Sequence, residues 1–115
     1  MRAITTHVLD LASGRPAKGM LVTLEYRSGK TRWKTLGKGK TDADGRLRNL
    51  LPEGHRLKAG TYRLHFDLAA YSRSRGKGRF FFPEASVVFI VKDTARHYHV
   101  PLLLSPFGYS TYRGS

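Results

Sequence analysis

The sequence predicts an all-β protein, a β-sandwich that carries a single short helix. About seven or eight short segments alternate apolar and polar residues with a period of two, which is typical of half-buried strands. Turns rich in glycine, proline and aspartate separate these segments, as expected for two packed sheets. The chain has 115 residues, a length that suits one domain over residues 1–115.

The predicted strands follow the alternation along the chain. In order they are ITTHVLD, GMLVTLEYR, TRWKTL, TYRLHFD, SVVFIVKD, RHYHVPLLLS and GYSTYR. Both faces of SVVFIVKD are apolar, so we expect this strand to be covered on two sides. In RHYHVPLLLS, Pro101 cannot donate a ladder hydrogen bond, which favours an edge strand or a bulge.

One helix and two turns complete the predicted elements. Asp67 can accept hydrogen bonds from the free amides that begin LAAYSRSRG, and Gly76 can end that helix in a left-handed conformation. The segments ASGRPAKG and TDADGRL are typical of turns. In the second, a tight reversal, Asp44 and Gly45 tolerate a positive φ.

The chain is strongly basic, with 21 lysines and arginines against 8 acidic residues and a net charge of +13. Such an excess attracts phosphates. However, the charges are spread from Arg2 to Arg113 and are densest in SRSRGKGR and in RSGKTRWKTLGKGK, which contains the predicted strand TRWKTL. Both segments are rich in glycine and serine, as loops are. Most aromatic residues fall on strand faces expected to be buried, whereas a nucleic-acid groove needs exposed ones. We therefore expect solubility and steering of anions, without a nucleic-acid partner.

Several classes of function are excluded by what the sequence lacks. It has no cysteine, which excludes disulfides, thiolate zinc sites and cysteine nucleophiles. No stretch approaches the roughly 20 apolar residues that span a bilayer. The start MRAITTHVLD lacks the apolar core of a signal peptide, so we expect a cytoplasmic protein that does not contact membranes. Calcium-loop, P-loop and serine-hydrolase motifs are absent.

His97 and His99 are the most informative polar pair. Side chains alternate across a strand, so these two imidazoles point to the same face while Tyr98 and Val100 point to the other. They are either solvent-facing residues on an edge strand or, with a third histidine such as His7, a three-imidazole zinc site. No carboxylate lies nearby in sequence to orient the rings.

Four segments together carry a resemblance to a known family. TTHVLDLASGRPA, TDADGRL, FFPE and HYHVPLLLSPFGYSTYRGS resemble the transthyretin-related 5-hydroxyisourate hydrolases over Ile4 to Ser115, and the closing YRGS is the most specific element. The resemblance implies a transthyretin-like (prealbumin-like) eight-stranded β-sandwich with one short helix. It also implies a homotetramer, a dimer of dimers, whose facing sheets enclose a central channel with active sites at its mouths.

The resemblance also implies the site residues. His7, Arg46 and His99 are the implied catalytic residues, and His97 is supporting. The implied substrate-binding residues are His7, Arg46, Tyr112, Arg113, Gly114 and Ser115. The alternation of side chains along the first predicted strand agrees with this assignment. It places His7 on the opposite face from Val8, where His7 is free to face a channel. No metal or cofactor is implied.

The implied reaction is hydrolysis of 5-hydroxyisourate to 2-oxo-4-hydroxy-4-carboxy-5-ureidoimidazoline in urate degradation. Opening the ring lactam needs an activated water, a group that stabilises the oxyanion and a proton for the leaving nitrogen. We hypothesise that His99 or His7 is the general base, a choice left open, and that Arg46 holds the anion. The alternative is a transthyretin-like carrier of a small ligand, for which these residues make the channel unusually polar. The +13 charge is higher than expected for the family, so assembly is predicted to depend on salt or bound anions.

Overall fold

A computed structural model describes residues 3–76 and 80–115 and places them in two packed β-sheets with one helix. The strands are β1 (Ile4–Asp10), β2 (Arg15–Pro16), β3 (Leu21–Arg27), β4 (Trp33–Lys40), β5 (Arg46–Leu47), β6 (Gly60–Asp67), β7 (Glu84–Val91), β8 (Tyr98–Ser105) and β9 (Gly108–Thr111), and the helix α1 (Leu68–Ser74) follows β6. The all-β sandwich with one short helix is thus confirmed. The described part has nine strands rather than eight because β2 and β5, each two residues long, both pair with β1.

The two sheets bring the beginning and the end of the chain together. The first sheet has the order β2-β1-β8-β9, with β5 also beside β1, and the second has the order β4-β3-β6-β7. Strands β1 and β8 pair in parallel, and the other pairs are antiparallel. A parallel pair needs a long connection. Here the connection is almost the whole sandwich, so the centre of the first sheet is built from the two ends of the described chain.

Pro101 was predicted to mark an edge strand or a bulge, and the edge is wrong because β8 lies between β1 and β9. The bulge is also wrong, since β8 and β9 keep the same register on both sides of Pro101. Strand β9 pairs with Leu102–Ser105 and meets β8 again only where Gly114 pairs with His99. Pro101 therefore lies in a gap of this ladder, where its missing amide leaves no hydrogen bond unmade. Its carbonyl accepts a hydrogen bond of 2.6 Å from the Thr111 hydroxyl.

The core lies between the sheets and follows the predicted alternation. The largest fully buried side chains include Ile4, Met20, Leu24, Tyr62, Leu64, Phe66, Leu102 and Leu104. Each large apolar side chain buried in this way contributes about 1.5–3 kcal/mol. Because the inner positions of β1 and β8 are fixed by this core, their alternate positions are fixed on the outer face of the first sheet.

Strand β7 is not covered on both faces within the chain, contrary to the prediction from SVVFIVKD. Val87 and Val91 face the core, but Val88 is 55% exposed and Ile90 is 61% exposed. In a sandwich only the inner face of each sheet packs against the other sheet, and among residues 3–76 and 80–115 no layer covers Val88 and Ile90 on the outer face. The apolar composition of the strand therefore predicted a second covered face that the described residues do not provide.

Helix α1 forms as the sequence predicts. The Asp67 carboxylate accepts a hydrogen bond of 3.0 Å from the Ala70 amide, and Gly76 follows the helix with φ of +63°. In the reversal TDADGRL only Gly45 has a positive φ, and among the described residues all positive φ values belong to glycines. Residues 77–79 of the basic segment SRSRGKGR lie outside the described residues. In residues 3–76 and 80–115, no helix has the length and apolar composition needed to cross a membrane.

A buried hydrogen bond fastens α1 to the first sheet. The Tyr71 hydroxyl donates to the Asp10 carboxylate at 2.8 Å, and both residues are buried. The Ala12 and Ser13 amides donate to the other oxygen of that carboxylate at 2.9 and 3.2 Å. Burial, followed by the hydrogen bond and charge of Asp10, raises the pKa of Tyr71 to about 12. The hydroxyl therefore remains a donor over the whole working pH range.

Replacing Tyr71 by phenylalanine should lower the free energy of unfolding by about 1–3 kcal/mol, because one Asp10 oxygen would stay buried without its donor. Urea unfolding followed by circular dichroism measures this difference. Tyr26→Phe is the matched control, since its hydroxyl donates to the Ala59 carbonyl at 3.1 Å from an exposed position. Equal losses in the two variants would show that the Tyr71 hydroxyl does not fasten the helix.

Candidate active site

Three neighbouring strands place polar side chains on the outer face of the first sheet. His7 of β1 pairs with Arg46 of β5 on one side, and Thr5 of β1 pairs with His99 of β8 on the other. The alternation expected of β1 is observed, since Val8 is buried toward the core and His7 is half-buried on the opposite face. The sequence-predicted catalytic residues therefore lie on adjacent strands of one surface.

The two histidines of the HYH segment form a stacked pair. The ring centroids of His97 and His99 are 6.2 Å apart, with an angle of 20° between the planes. Thr5 contacts both rings, with its Oγ1 2.7 Å from His99 Nδ1 and 3.1 Å from His97 Nε2. Since Nδ1 of His99 is occupied by this hydrogen bond, Nε2 is the nitrogen left for a substrate or a water.

The turn before β5 fixes the orientation of His7. Its Nε2 lies 2.9 Å from the carbonyl oxygen of Asp44, and a carbonyl only accepts, so Nε2 carries the proton and donates it. Nδ1 of a neutral His7 is then the free acceptor. Asp42 holds the turn by accepting hydrogen bonds from the amides of Asp44 and Arg46, at 2.9 and 3.0 Å. The Arg46 amide is also the main cause that lowers the pKa of Asp42.

The surroundings of His99 favour its neutral form. Burial is the largest cause that lowers its pKa, followed by the positive charges of His97, Arg46, His7 and Arg48. A neutral imidazole keeps the lone pair that a general base needs. Because the pKa of His99 is lower in the folded chain, the unfolded chain binds more protons as the pH falls below 6.5. His99 therefore lowers the free energy of unfolding only at acid pH.

We expect nuclear magnetic resonance titration of His99 to give a pKa below 6.5, the ordinary value for this side chain. Arg46→Gln removes one nearby positive charge and should raise that pKa. Arg27→Gln, at the end of β3 in the other sheet, provides a control of equal charge change. A pKa at or above 6.5 in the unchanged protein, or identical shifts in both variants, would contradict this view of the site.

The chain end reaches the site through its backbone. The Gly114 amide donates to the His99 carbonyl at 2.8 Å, and a Cβ added at Gly114 would lie 2.5 Å from His99 Cδ2. Tyr112 is 59% exposed, and Ser115 is also exposed. The Arg113 guanidinium lies 4.7 Å from the ring centroid of Tyr98, a buried residue on the other face of β8. In this chain Arg113 is therefore turned away from His99.

Two site residues were not found by sequence reasoning. Thr5 contacts both histidines, and Arg48 is close enough to His99 to lower its pKa. The signal for Thr5 was present in ITTHVLD, because a residue two positions before His7 shares its face. For Arg48 no comparable pattern exists, since it follows the two-residue strand β5.

In the described ranges, 3–76 and 80–115, no three histidine, cysteine, aspartate or glutamate residues are grouped closely enough to hold a metal ion. The three-imidazole zinc alternative built on His7, His97 and His99 is therefore not met by their positions. The Oγ1 of Thr5 lies at the nitrogens of His97 and His99 that would have to face a metal ion bound by both rings.

The site thus combines imidazole and guanidinium groups on the outer face of the first sheet with the backbone of Gly114 beside His99. The sequence model described as the HIUase/Transthyretin family matches residues 4–114. The chain belongs to this family.

Known proteins and solved structures are similar to this chain over almost its whole length. It is 46% identical to a 5-hydroxyisourate hydrolase of Caulobacter vibrioides, with 100% of both chains covered. It is also 46% identical to the uric acid degradation bifunctional protein TTL of Arabidopsis thaliana over 97% of its own length, but spans only 37% of that protein. Transthyretin from Sparus aurata superposes with a TM-score of 0.89 at 33% identity, covering 99% of this chain and 97% of that one. A Klebsiella pneumoniae 5-hydroxyisourate hydrolase superposes with a TM-score of 0.83 at 34% identity, with 100% of each covered.

Proposed function

We propose that this protein hydrolyses 5-hydroxyisourate to 2-oxo-4-hydroxy-4-carboxy-5-ureidoimidazoline on the outer face of its first sheet. One observation carries the proposal: β1, β5 and β8 present His7, Arg46 and His99 side by side. The names of the Caulobacter and Klebsiella proteins, which are similar over their whole lengths, support the same substrate. The pathway would be urate degradation.

The proposed mechanism uses only groups of the chain and a water. His99, whose lowered pKa keeps it neutral, accepts a proton from the water at Nε2, and the water oxygen attacks the lactam carbonyl. Arg46, always charged, holds the oxyanion that develops on the carbonyl oxygen. The ring carbon–nitrogen bond then breaks, and the imidazolium returns its proton to the leaving nitrogen. His7 is the alternative base through Nδ1, and no metal or cofactor enters the scheme.

The closing YRGS segment is proposed to bind the substrate. Gly114 supports this role because its backbone lies directly against His99. Tyr112 and Ser115 are exposed and near enough in the chain to line the same pocket. Arg113 would have to leave the ring of Tyr98 to reach the substrate, so its direct contact stays a prediction from the family.

Assembly into a homotetramer, as a dimer of dimers, is part of the proposal. Strand β4, one edge of the second sheet, carries exposed Lys34, Lys38 and Lys40, a pattern that discourages edge-to-edge pairing. Strand β7, the other edge, exposes the apolar Val88 and Ile90 instead. Pairing of β7 with its copy would extend the sheet, and the site-bearing faces of two such dimers could then enclose the channel.

The proposed dimer contact is tested by Ile90→Lys, which should shift the protein toward monomers in light scattering because a charge would enter the β7 pair. Thr35→Lys adds the same charge to the opposite edge, on β4, and should leave the mass unchanged. A salt series on the unchanged protein should also raise the mean mass, since +13 charges on each chain repel. Assembly that is indifferent to both Ile90→Lys and salt would contradict the proposed contact.

The function is tested by forming 5-hydroxyisourate from urate with urate oxidase and following the decay of its ultraviolet absorbance. Adding the protein in the presence of a chelator should accelerate the decay. Decay no faster than in buffer, from protein that circular dichroism shows to be folded, would overturn the proposal. That outcome would favour the second candidate, a small-ligand carrier, which the high similarity to transthyretin from Sparus aurata supports. Cytoplasmic location and the lack of a nucleic-acid partner stay predictions.

A further inference from the structure

We propose that Thr5 is a positioning residue that makes the tautomer of His99 depend on whether His97 carries an extra proton. The inference deepens the proposed function and rests on it for its catalytic meaning, although the coupling itself can be measured without substrate. It assigns a task to His97, for which the family resemblance gives only a supporting role.

The geometry of Thr5 sets it apart from an ordinary strand threonine. It is 5% exposed, and its Oγ1 lies within hydrogen-bond distance of two different imidazoles, at 2.7 Å from His99 Nδ1 and 3.1 Å from His97 Nε2. A hydroxyl has a single proton to donate. It can therefore donate to only one of the two rings, and it must accept from the other if both hydrogen bonds are made.

Two arrangements of protons satisfy this constraint. In the first, His99 donates from Nδ1 to Thr5, and Thr5 donates to the bare Nε2 of His97. Nε2 of His99 then carries a lone pair and can act as a base. In the second, His97 donates from Nε2 to Thr5, and Thr5 donates to Nδ1 of His99. A neutral His99 then has its proton on Nε2, where it can donate to a substrate but cannot accept from a water.

Protonation of His97 selects the second arrangement. An imidazolium carries protons on both nitrogens, so His97 must then donate to Thr5. His99 is half-buried, and burial lowers its pKa, so protonation of His99 itself is disfavoured. The titratable and charged groups facing the pair are His7 on β1, Arg46 on β5 and Arg48 beyond it, and they lower the pKa of His99 further. When His97 carries the extra proton, His99 thus loses its basic Nε2 while it is still neutral.

Thr6 supplies a matched control. Its Oγ1 donates to the Val100 carbonyl at 2.6 Å, and it is fully buried on the core side of the same strand. Thr6→Val removes a buried hydroxyl from β1 without touching either histidine. A purely structural Thr5 would make Thr5→Val behave like Thr6→Val, whereas the coupling affects only Thr5→Val.

The decisive experiment reads the imidazole nitrogens of the full chain by long-range ¹H–¹⁵N spectra over a pH series. In the unchanged protein we expect His99 to change from the Nδ1–H to the Nε2–H tautomer as His97 takes up its proton. Thr5→Val should abolish that change, while Thr5→Ser, which keeps the hydroxyl, and Thr6→Val should preserve it. A His99 tautomer that ignores the state of His97 in the unchanged protein, or a change that survives in Thr5→Val, would overturn the proposal.

Turnover separates this inference from the proposed function. If the protein hydrolyses 5-hydroxyisourate, Thr5→Val should lower kcat roughly 10- to 100-fold, as loss of a partner that orients a functional histidine does in metal sites. The acid limb of its kcat profile should also shift toward lower pH, because His97 no longer switches His99. Full turnover and an unchanged profile in Thr5→Val would overturn the catalytic meaning of the coupling. A protein without hydrolase activity that still shows the tautomer change would refute the function and leave the coupling established.

Discussion

Replacing His99 by alanine is expected to lower kcat for 5-hydroxyisourate hydrolysis by about 10²–10⁴-fold, the usual contribution of a positioned general base. His99 has the required properties together: Nε2 is free, Nδ1 is fixed by Thr5, and burial with nearby positive charge lowers its pKa. Stopped-flow or steady-state absorbance of the intermediate gives kcat directly. The KM should change less, since Arg46 would still attract the anion.

Two further alanine variants decide how the result is read. His55→Ala removes an exposed loop histidine whose Nδ1 lies against the carbonyl of its own neighbour, Arg56, and should leave kcat unchanged. His7→Ala is expected to lower kcat as well, and the larger of the two losses identifies the base. Unchanged turnover in both His7→Ala and His99→Ala would refute the catalytic scheme.

The second large effect is expected from Gly114→Ala, in which a single methyl group displaces the His99 ring. The new Cβ would lie 2.5 Å from His99 Cδ2 and 3.3 Å from Pro101 Cγ, so the ring or the chain end must move. A displacement near 1 Å can lower the rate about 10²-fold. Because Gly114 is joined to the sheet only by an isolated bridge, the melting temperature should change little. Gly114→Ala should therefore lower the rate without lowering the melting temperature to a comparable degree.

Gly108→Ala is the control for this variant. Gly108 also belongs to the closing segment, but an added Cβ would meet only Ser105 Oγ at 3.8 Å, which is ordinary contact. Its φ is not positive, so alanine introduces no backbone strain. Wild-type kcat in Gly114→Ala, with His99 unmoved in a structure of the variant, would show that the chain end does not fix the ring.

The sequence predicted most of the fold because alternation reports directly which residues face a core. Alternation predicted β1, β3, β6 and β8, and Asp67 was predicted as the N-cap of α1. These features depend on residues that are close together in the sequence. Prediction from the sequence failed where the outcome depends on distant strands. Pro101 suggested an edge because its lost amide usually signals one, yet the gap in the β8–β9 ladder depends on where Gly114 returns.

The residues of the candidate site could be predicted from the sequence, but their orientations could not. His7, Arg46 and His99 were identified through the resemblance of whole segments, whereas periodicity alone gave only that His97 and His99 share a face. The ring orientations could not be predicted, because they depend on hydrogen bonds to Asp44, in the turn before β5, and to Thr5 of β1, which are distant in sequence from the rings they contact. The contact of Arg113 with the substrate stays a prediction of the resemblance, and the position of its guanidinium on Tyr98 could not be predicted from YRGS.

The parallel pairing of β1 with β8 has a consequence for how the protein is made. Thr5 and His99 are 94 positions apart, so β1 emerges from the ribosome long before its central partner exists. Synthesis at roughly 5–20 residues per second leaves that strand waiting for several seconds with an apolar face and open hydrogen-bonding groups. Closing so long a loop is also slow for a chain of this size. The surface that carries His7 and His99 is thus assembled only after β8 has been synthesised, and the first appearance of hydrolase activity during translation would time the completion of the whole sandwich.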